Sequence, residues 1–163
     1  MYLYLKQKVF SIVEKFNFFD ENQNVVYSAK GSFFQIPKSF TLFKDDEPVF
    51  KIERKIFSFM PQFRFFSLPS GADAGYIRGK FSLHKNFDIF TPEGDFKIEG
   101  SLLGYTFKIT DTVGNVLTDV SKQYFTWGDT YKIQIDETRI SPETACGAII
   151  AFDNVIHNGG GNN

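Results

Sequence analysis

The sequence predicts a mainly β protein, a closed antiparallel barrel of about twelve strands around a C-terminal α-helix. Three observations carry this. The 163 residues include 21 Phe against eight Leu, and aromatic side chains favour strands where Leu favours helices. A pattern of apolar residues recurs about every 23 positions along most of the chain. The last ordered segment is a helix with apolar residues on every side, which demands burial on every side.

Each repeat opens on an apolar anchor: Phe10, Phe34, Phe57, Phe81, Leu102 and Phe125, spaced 24, 23, 24, 21 and 23 residues apart. Six residues later comes an alternating segment: Phe16-Asn17-Phe18, Phe40-Thr41-Leu42, Phe63-Arg64-Phe65, Phe87-Asp88-Ile89 and Tyr131-Lys132-Ile133. In the fifth unit, Phe107-Lys108-Ile109, the interval is five. Period-two alternation marks a half-buried strand, so the middle residues should face water. Turn formers close the units at Asp20–Asn24, Lys44–Pro48, Pro69–Gly75, Pro92–Asp95 and Asp111–Asn115. A second short strand then leads toward the next anchor. Its apolar parity does not match that anchor, which predicts a bulge or break at Glu53–Lys55, Arg78–Lys80 and Ser121–Gln123. Two strands per unit over six units make an antiparallel meander of about twelve.

Ser141-Pro142-Glu143 starts the helix: Ser is a favoured cap, Pro suits the first helical position, and an acid suits the first turn. It should run from about Pro142 to about His157. Small residues (Ala145, Cys146, Gly147, Ala148, Ala151) keep it thin. Twelve strands tilted by ~40° close into a ring roughly 24 Å across, too wide for side chains alone to fill. A thin helix met by inward Phe rows fills it. One domain, residues 1–158, with a disordered Gly159–Asn163 tail is expected.

Tyr124-Phe125-Thr126-Trp127-Gly128-Asp129-Thr130-Tyr131-Lys132-Ile133 closely resembles a signature stretch of the LURP-one-related proteins, a family with bacterial and plant defence-linked members. Lys6-Gln7-Lys8-Val9-Phe10-Ser11 and Ala151-Phe152-Asp153-Asn154-Val155-Ile156-His157 resemble its start and its terminal helix. The departures are Thr126 for the usual Ser and Phe152 for the usual Ile. The resemblance implies the tubby C-terminal-like fold, with phospholipid scramblases as more remote relatives, and implies little about activity.

For function, the sequence mainly excludes. Eighteen Lys+Arg against 19 Asp+Glu leave a net charge of −1, which argues against nucleic acid as partner. A single cysteine, Cys146, excludes an internal disulfide and suits a reducing compartment. Together with an N-terminus lacking a secretory pattern and the absence of a long apolar run, this predicts a cytoplasmic protein without a transmembrane segment. His84 and His157 lie far apart, Cys146 falls in an apolar helix, and Asp20–Asn24 lacks the glycine and glutamate of a calcium loop. No catalytic residue, metal site or cofactor is therefore predicted. Asp153 is expected to pin the buried helix to the wall. Trp127 and Asp129 are expected to serve structure at the last hairpin. Basic residues recur at the breaks between strands: Lys6/Lys8, Lys30, Arg54/Lys55, Arg78/Lys80 and Lys122. Of these, Arg54, Lys55, Arg78 and Lys80 form the candidate ligand site, an analogy with the headgroup sites of tubby domains. The predicted function is a non-enzymatic binding module for an anionic lipid headgroup or phosphorylated small molecule. The alternative is a structural or protein-interaction module, docking through the Pro69–Gly75 loop, read as the longest and most irregular of the chain.

Overall fold

The computed structural model describes residues 1–6, 15–32, 35–80, 86–101, 106–123 and 130–158, excepting side chains at 101 and 156–158. The strands are β1 (Tyr2–Lys6), β2 (Lys15–Phe19), β3 (Val25–Gly31), β4 (Ser39–Lys44), β5 (Glu47–Arg54), β6 (Gln62–Ser67), β7 (Ala72–Gly79), β8 (Phe87–Thr91), β9 (Gly94–Ser101), β10 (Thr106–Asp111), β11 (Val116–Gln123) and β12 (Thr130–Ile135). The helix α1 (Pro142–Asn158) follows, close to the predicted span. Every strand pairs antiparallel with its sequence neighbours. β12 closes the ring on β1 through Leu3↔Ile133 and Leu5↔Tyr131, which leaves no open edge.

The alternation decides which side chains enter the lumen. In all six units the flanking residues are buried, for example Phe63 and Phe65, Phe87 and Ile89, and Tyr131 and Ile133. The intervening Asn17, Thr41, Arg64, Asp88, Lys108 and Lys132 are not. Each fully buried aromatic or aliphatic side chain contributes about 1.5–3 kcal/mol. The helix fills the lumen and is met from several sides. Phe152 packs against Phe87 and Phe107, with ring centroids 5.5 and 4.5 Å away. Gly147 abuts Phe50 and Ile52 of β5, and Tyr27 Oη donates to Glu143 at 2.9 Å.

The predicted cap at Ser141 forms. Ala145 N–H donates to the Ser141 carbonyl at 3.0 Å, and Thr144 N–H donates to Ser141 Oγ at 3.2 Å. Glu93, in the β8–β9 turn, ties this helix start to the wall. Its carboxylate accepts from Ser141 N–H (2.7 Å), Ser141 Oγ (2.6 Å) and Thr144 Oγ1 (3.0 Å).

Of the predicted bulges or breaks, the structure shows breaks: β5 ends at Arg54, β7 at Gly79 and β11 at Gln123, and the ladders run without register shift through Glu53–Arg54, Arg78 and Ser121–Gln123. Register shifts fall after Phe18, Leu42, Phe65 and Ile109, near the opposite barrel end, where a bulge adds twist as a strand enters its turn. Two expectations need correction. Phe57 is no part of the wall: it lies in the β5–β6 connection, fully exposed. The other five anchors lie outside the described residues. Finally, Pro69–Gly75 is no long irregular loop. A tight turn spans 68–71 and β7 begins at Ala72, so the β5–β6 connection is longer.

Candidate functional site

In an up-and-down barrel all odd strands end at one mouth and all even strands at the other. The turns following even strands and the strand ends beside them carry acids: Asp20 and Glu21, Asp45 and Asp46, Asp73, Glu93 and Asp95, and Asp111. Asp136, Glu137 and Glu143 join them between β12 and the first turn of α1. These acids are largely committed to structure. Asp20 accepts from Asn24 N–H (2.8 Å) and Nδ2 (3.0 Å). Asp111 repeats that turn with Asn115, both contacts at 2.8 Å, and also accepts from Arg139. Hydrogen bonds to the ionised form hold both carboxyls below the usual range, those from Asn24 and Asn115 foremost. The calcium-loop-like string at Asp20 is thus a hairpin turn.

Cations gather at the opposite mouth. Lys6, Lys30, Arg54, Arg78 and Lys122 lie at or near the ends of β1, β3, β5, β7 and β11. Several rest on outward aromatic rings: Lys6 on Phe19 and Lys30 on Phe43, both at 5.0 Å, and Arg78 on Phe90 at 5.7 Å. Lys80 is paired with Asp88 at 2.7 Å. The four cations of the predicted site therefore divide. Arg78 and Lys80 lie beyond β6 from Arg54 and are engaged on the outer wall. Arg54 and Lys55 are exposed, and no described carboxylate pairs with either.

Those two line a groove of about 380 Å³ with Gln35, Ile36, Pro37, Lys38, Ile56, Phe57 and Ser58. Adjacent strands build it. Arg54 N–H donates to the Lys38 carbonyl at 2.8 Å, joining the β3–β4 and β5–β6 connections. Lys55 N–H donates to Gln62 at 2.9 Å and closes the base of the second connection. Neither groove segment carries an acid. The groove can therefore hold an anion by charge and by the forked donors of Arg54. The same two connections carry exposed apolar side chains: Ile36 (85% exposed), Phe57 (99%) and Phe59 (103%). Phe57 adopts φ +57°, a left-handed conformation rare for a bulky residue. Lys38, Ile36 and Phe59 were not singled out by sequence reasoning. The available signal was an apolar and basic run, Arg54 to Phe59, lacking strand alternation.

The remaining candidates are placed as follows. Asp153 is half-buried and lines a small cavity with Leu5, Phe107, Val120, Tyr131, Ile149 and Phe152, while its neighbour Asn154 is the buried polar residue. Cys146 is fully buried, and desolvation, aided by Glu143, pushes its thiol pKa well up. Trp127, Asp129, His84 and the His157 side chain lie outside the described residues. Among the described residues no three His, Cys, Asp or Glu side chains converge as metal ligands. No described helix is long and apolar enough to cross a membrane.

Comparison with known proteins gives three concordant matches. The LURP-one-related family profile matches residues 1–153. A Bacillus subtilis protein described as "Uncharacterized protein YxjI" is 30% identical over 159 residues, covering 96% of this chain and 94% of that one. A crystal structure of an Arabidopsis thaliana protein superposes with a TM-score of 0.70 at 13% identity, covering 94% of this chain and 90% of the other. That likeness is one of fold, the tubby-like barrel. With the profile spanning all twelve strands and most of the helix, the chain belongs to the LURP-one-related family.

Proposed function

We propose that the protein is a non-enzymatic binding module that takes an anionic ligand, a lipid headgroup or a phosphorylated small molecule, in the groove of Lys38, Arg54 and Lys55. The observation carrying this reading is the segregation of charge. A chain of net charge −1 gathers acids at one mouth, many of them held in turn contacts, and leaves Arg54 and Lys55 exposed at the other, where Glu53 and Asp88 are paired with Lys51 and Lys80. The buried, deactivated thiol of Cys146 supports a binding role over nucleophilic catalysis. The lone cysteine fits action in the reducing cytoplasm.

The test uses inositol trisphosphate and glycerol 3-phosphate as probes, by calorimetry over a range of salt. Affinity should fall steeply as ionic strength rises, since the Debye length shrinks to about 8 Å at 0.15 M. Arg54→Gln with Lys55→Gln should lose roughly tenfold or more, whereas Arg78→Gln with Lys80→Gln should lose little. No binding of either probe at low salt, or equal losses from both pairs, would refute the assignment to this groove.

A further inference from the structure

We propose that Ile36, Phe57 and Phe59 form a wedge that enters the interface of an anionic bilayer and sets the basic groove at headgroup depth. This rests on the anionic-ligand reading and commits it to a membrane surface as the source of the anion. The wedge spans two connections joined by the Arg54–Lys38 backbone hydrogen bond. Its three side chains are almost wholly exposed, although water disfavours exposed aromatic and aliphatic surface. The left-handed backbone at Phe57 helps keep that ring away from the barrel.

Charge selects the occupant. Lys38, Arg54 and Lys55 line the groove together with Ile36 and Phe57, and neither connection carries an acid. A bilayer offers an apolar interior beneath a sheet of phosphates, the complement of apolar side chains beside a basic groove. A second copy docking by the same face would oppose two sets of cations, which repel. A soluble phosphate could use the groove but leaves the wedge in water. The acids at the far mouth disfavour the reverse orientation, so one end alone meets the surface. No described helix spans a membrane, so attachment through the wedge is peripheral.

The experiment is co-sedimentation of the full chain with phosphatidylcholine vesicles containing phosphatidylglycerol, with pure phosphatidylcholine vesicles as control. Binding should require the anionic lipid. Phe57→Ser with Phe59→Ser should lower partitioning roughly tenfold or more, with an unchanged melting temperature, and Phe59→Ser alone, outside the groove lining, should lower partitioning while leaving the affinity for inositol trisphosphate unchanged. As an independent readout, Ser58→Cys can be labelled selectively with an environment-sensitive dye, because Cys146 is fully buried. Its emission should shift to the blue on adding the anionic vesicles. Four outcomes overturn the wedge. If the double serine variant partitions like the wild type, insertion fails while the groove reading stands. Insertion fails in the same way if the wild type binds inositol trisphosphate but no vesicles. If the wild type ignores vesicles and dimerises in a way that the serine variant abolishes, a second copy occupies the face. Failure to bind either probe or vesicle defeats both proposals.

Discussion

A Cβ added at Gly75 would lie 2.0 Å from the carbonyl oxygen of Phe90 on the paired strand, and the residue sits at φ +107°. Backbone on both sides leaves nothing to rotate away, so Gly75→Ala should cost at least about 3 kcal/mol, read as a lower chemical-denaturation midpoint. Gly147 sets a gentler contest. A methyl there gains about 1 kcal/mol of helix propensity but meets Phe50 Cε1 at 2.9 Å and Ile52 Cγ1 at 3.4 Å. Phe50 is itself packed on Phe65, with centroids 5.4 Å apart. Overpacking of this kind costs about 1–3 kcal/mol, so Gly147→Ala should be net destabilising by roughly 1 kcal/mol. A stabilised variant would mean that the Phe50 ring yields freely. Alternation told inward from outward residues correctly. It did not reveal that Phe19, Phe43, Phe66 and Phe90 form a second, outward row, which cations cover. Whether an outward ring is exposed depends on the side chain across the next ladder, which one strand's pattern does not contain.

The helix is an element that its own sequence announces and that only the barrel makes stable. Apart from its lumen it would expose Ile149, Ile150 and Phe152, all buried here. Removing residues 141 onward empties the barrel and leaves Phe63, Phe87 and Phe107 facing a void. Single core truncations already cost about 2–5 kcal/mol, and a domain's whole stability is about 5–15 kcal/mol. The truncated chain should fail to fold, and a cooperative thermal transition from it would defeat this account of the core. At the other end of the scale, Ser141→Ala deletes a cap and one of the hydroxyls on Glu93. It should lower stability by about 1–2 kcal/mol.

At the scale of the whole molecule, the acidic mouth makes stability depend on pH. Asp20, Asp73, Asp111 and Asp136 are all held below their ordinary value of 3.8 by hydrogen bonds to their ionised forms. The unfolded chain therefore binds protons before the folded chain does. The stabilisation is complete above about pH 4 and is lost as pH falls through the depressed folded values. Melting temperature should drop steeply from about pH 4 downward. Asp111→Asn should melt lower than the wild type at neutral pH and lose less between neutral and acid pH. Parallel acid slopes for the two proteins would show that the Asn115 and Arg139 contacts do not carry the effect.

Strand number, the inward residues, the hairpin turns and the helix with its cap were determined by the sequence alone, because each depends on near neighbours: two-residue alternation, turn formers, a Ser-Pro-Glu start. The recurrence of basic residues at the breaks between strands was equally legible from a repeat of fixed length. Tertiary structure decided the division among those cations. Asp88 reaches Lys80 because β8 pairs with β7, and Phe90 lies under Arg78 for the same reason, while Arg54 and Lys55 end a strand whose neighbours bring no acid to them. It also decided that Phe57 is exposed rather than part of the wall. An apolar residue at a repeat position reads alike in a strand or beyond its end, and only the closing of the ladder at Arg54 tells the two apart.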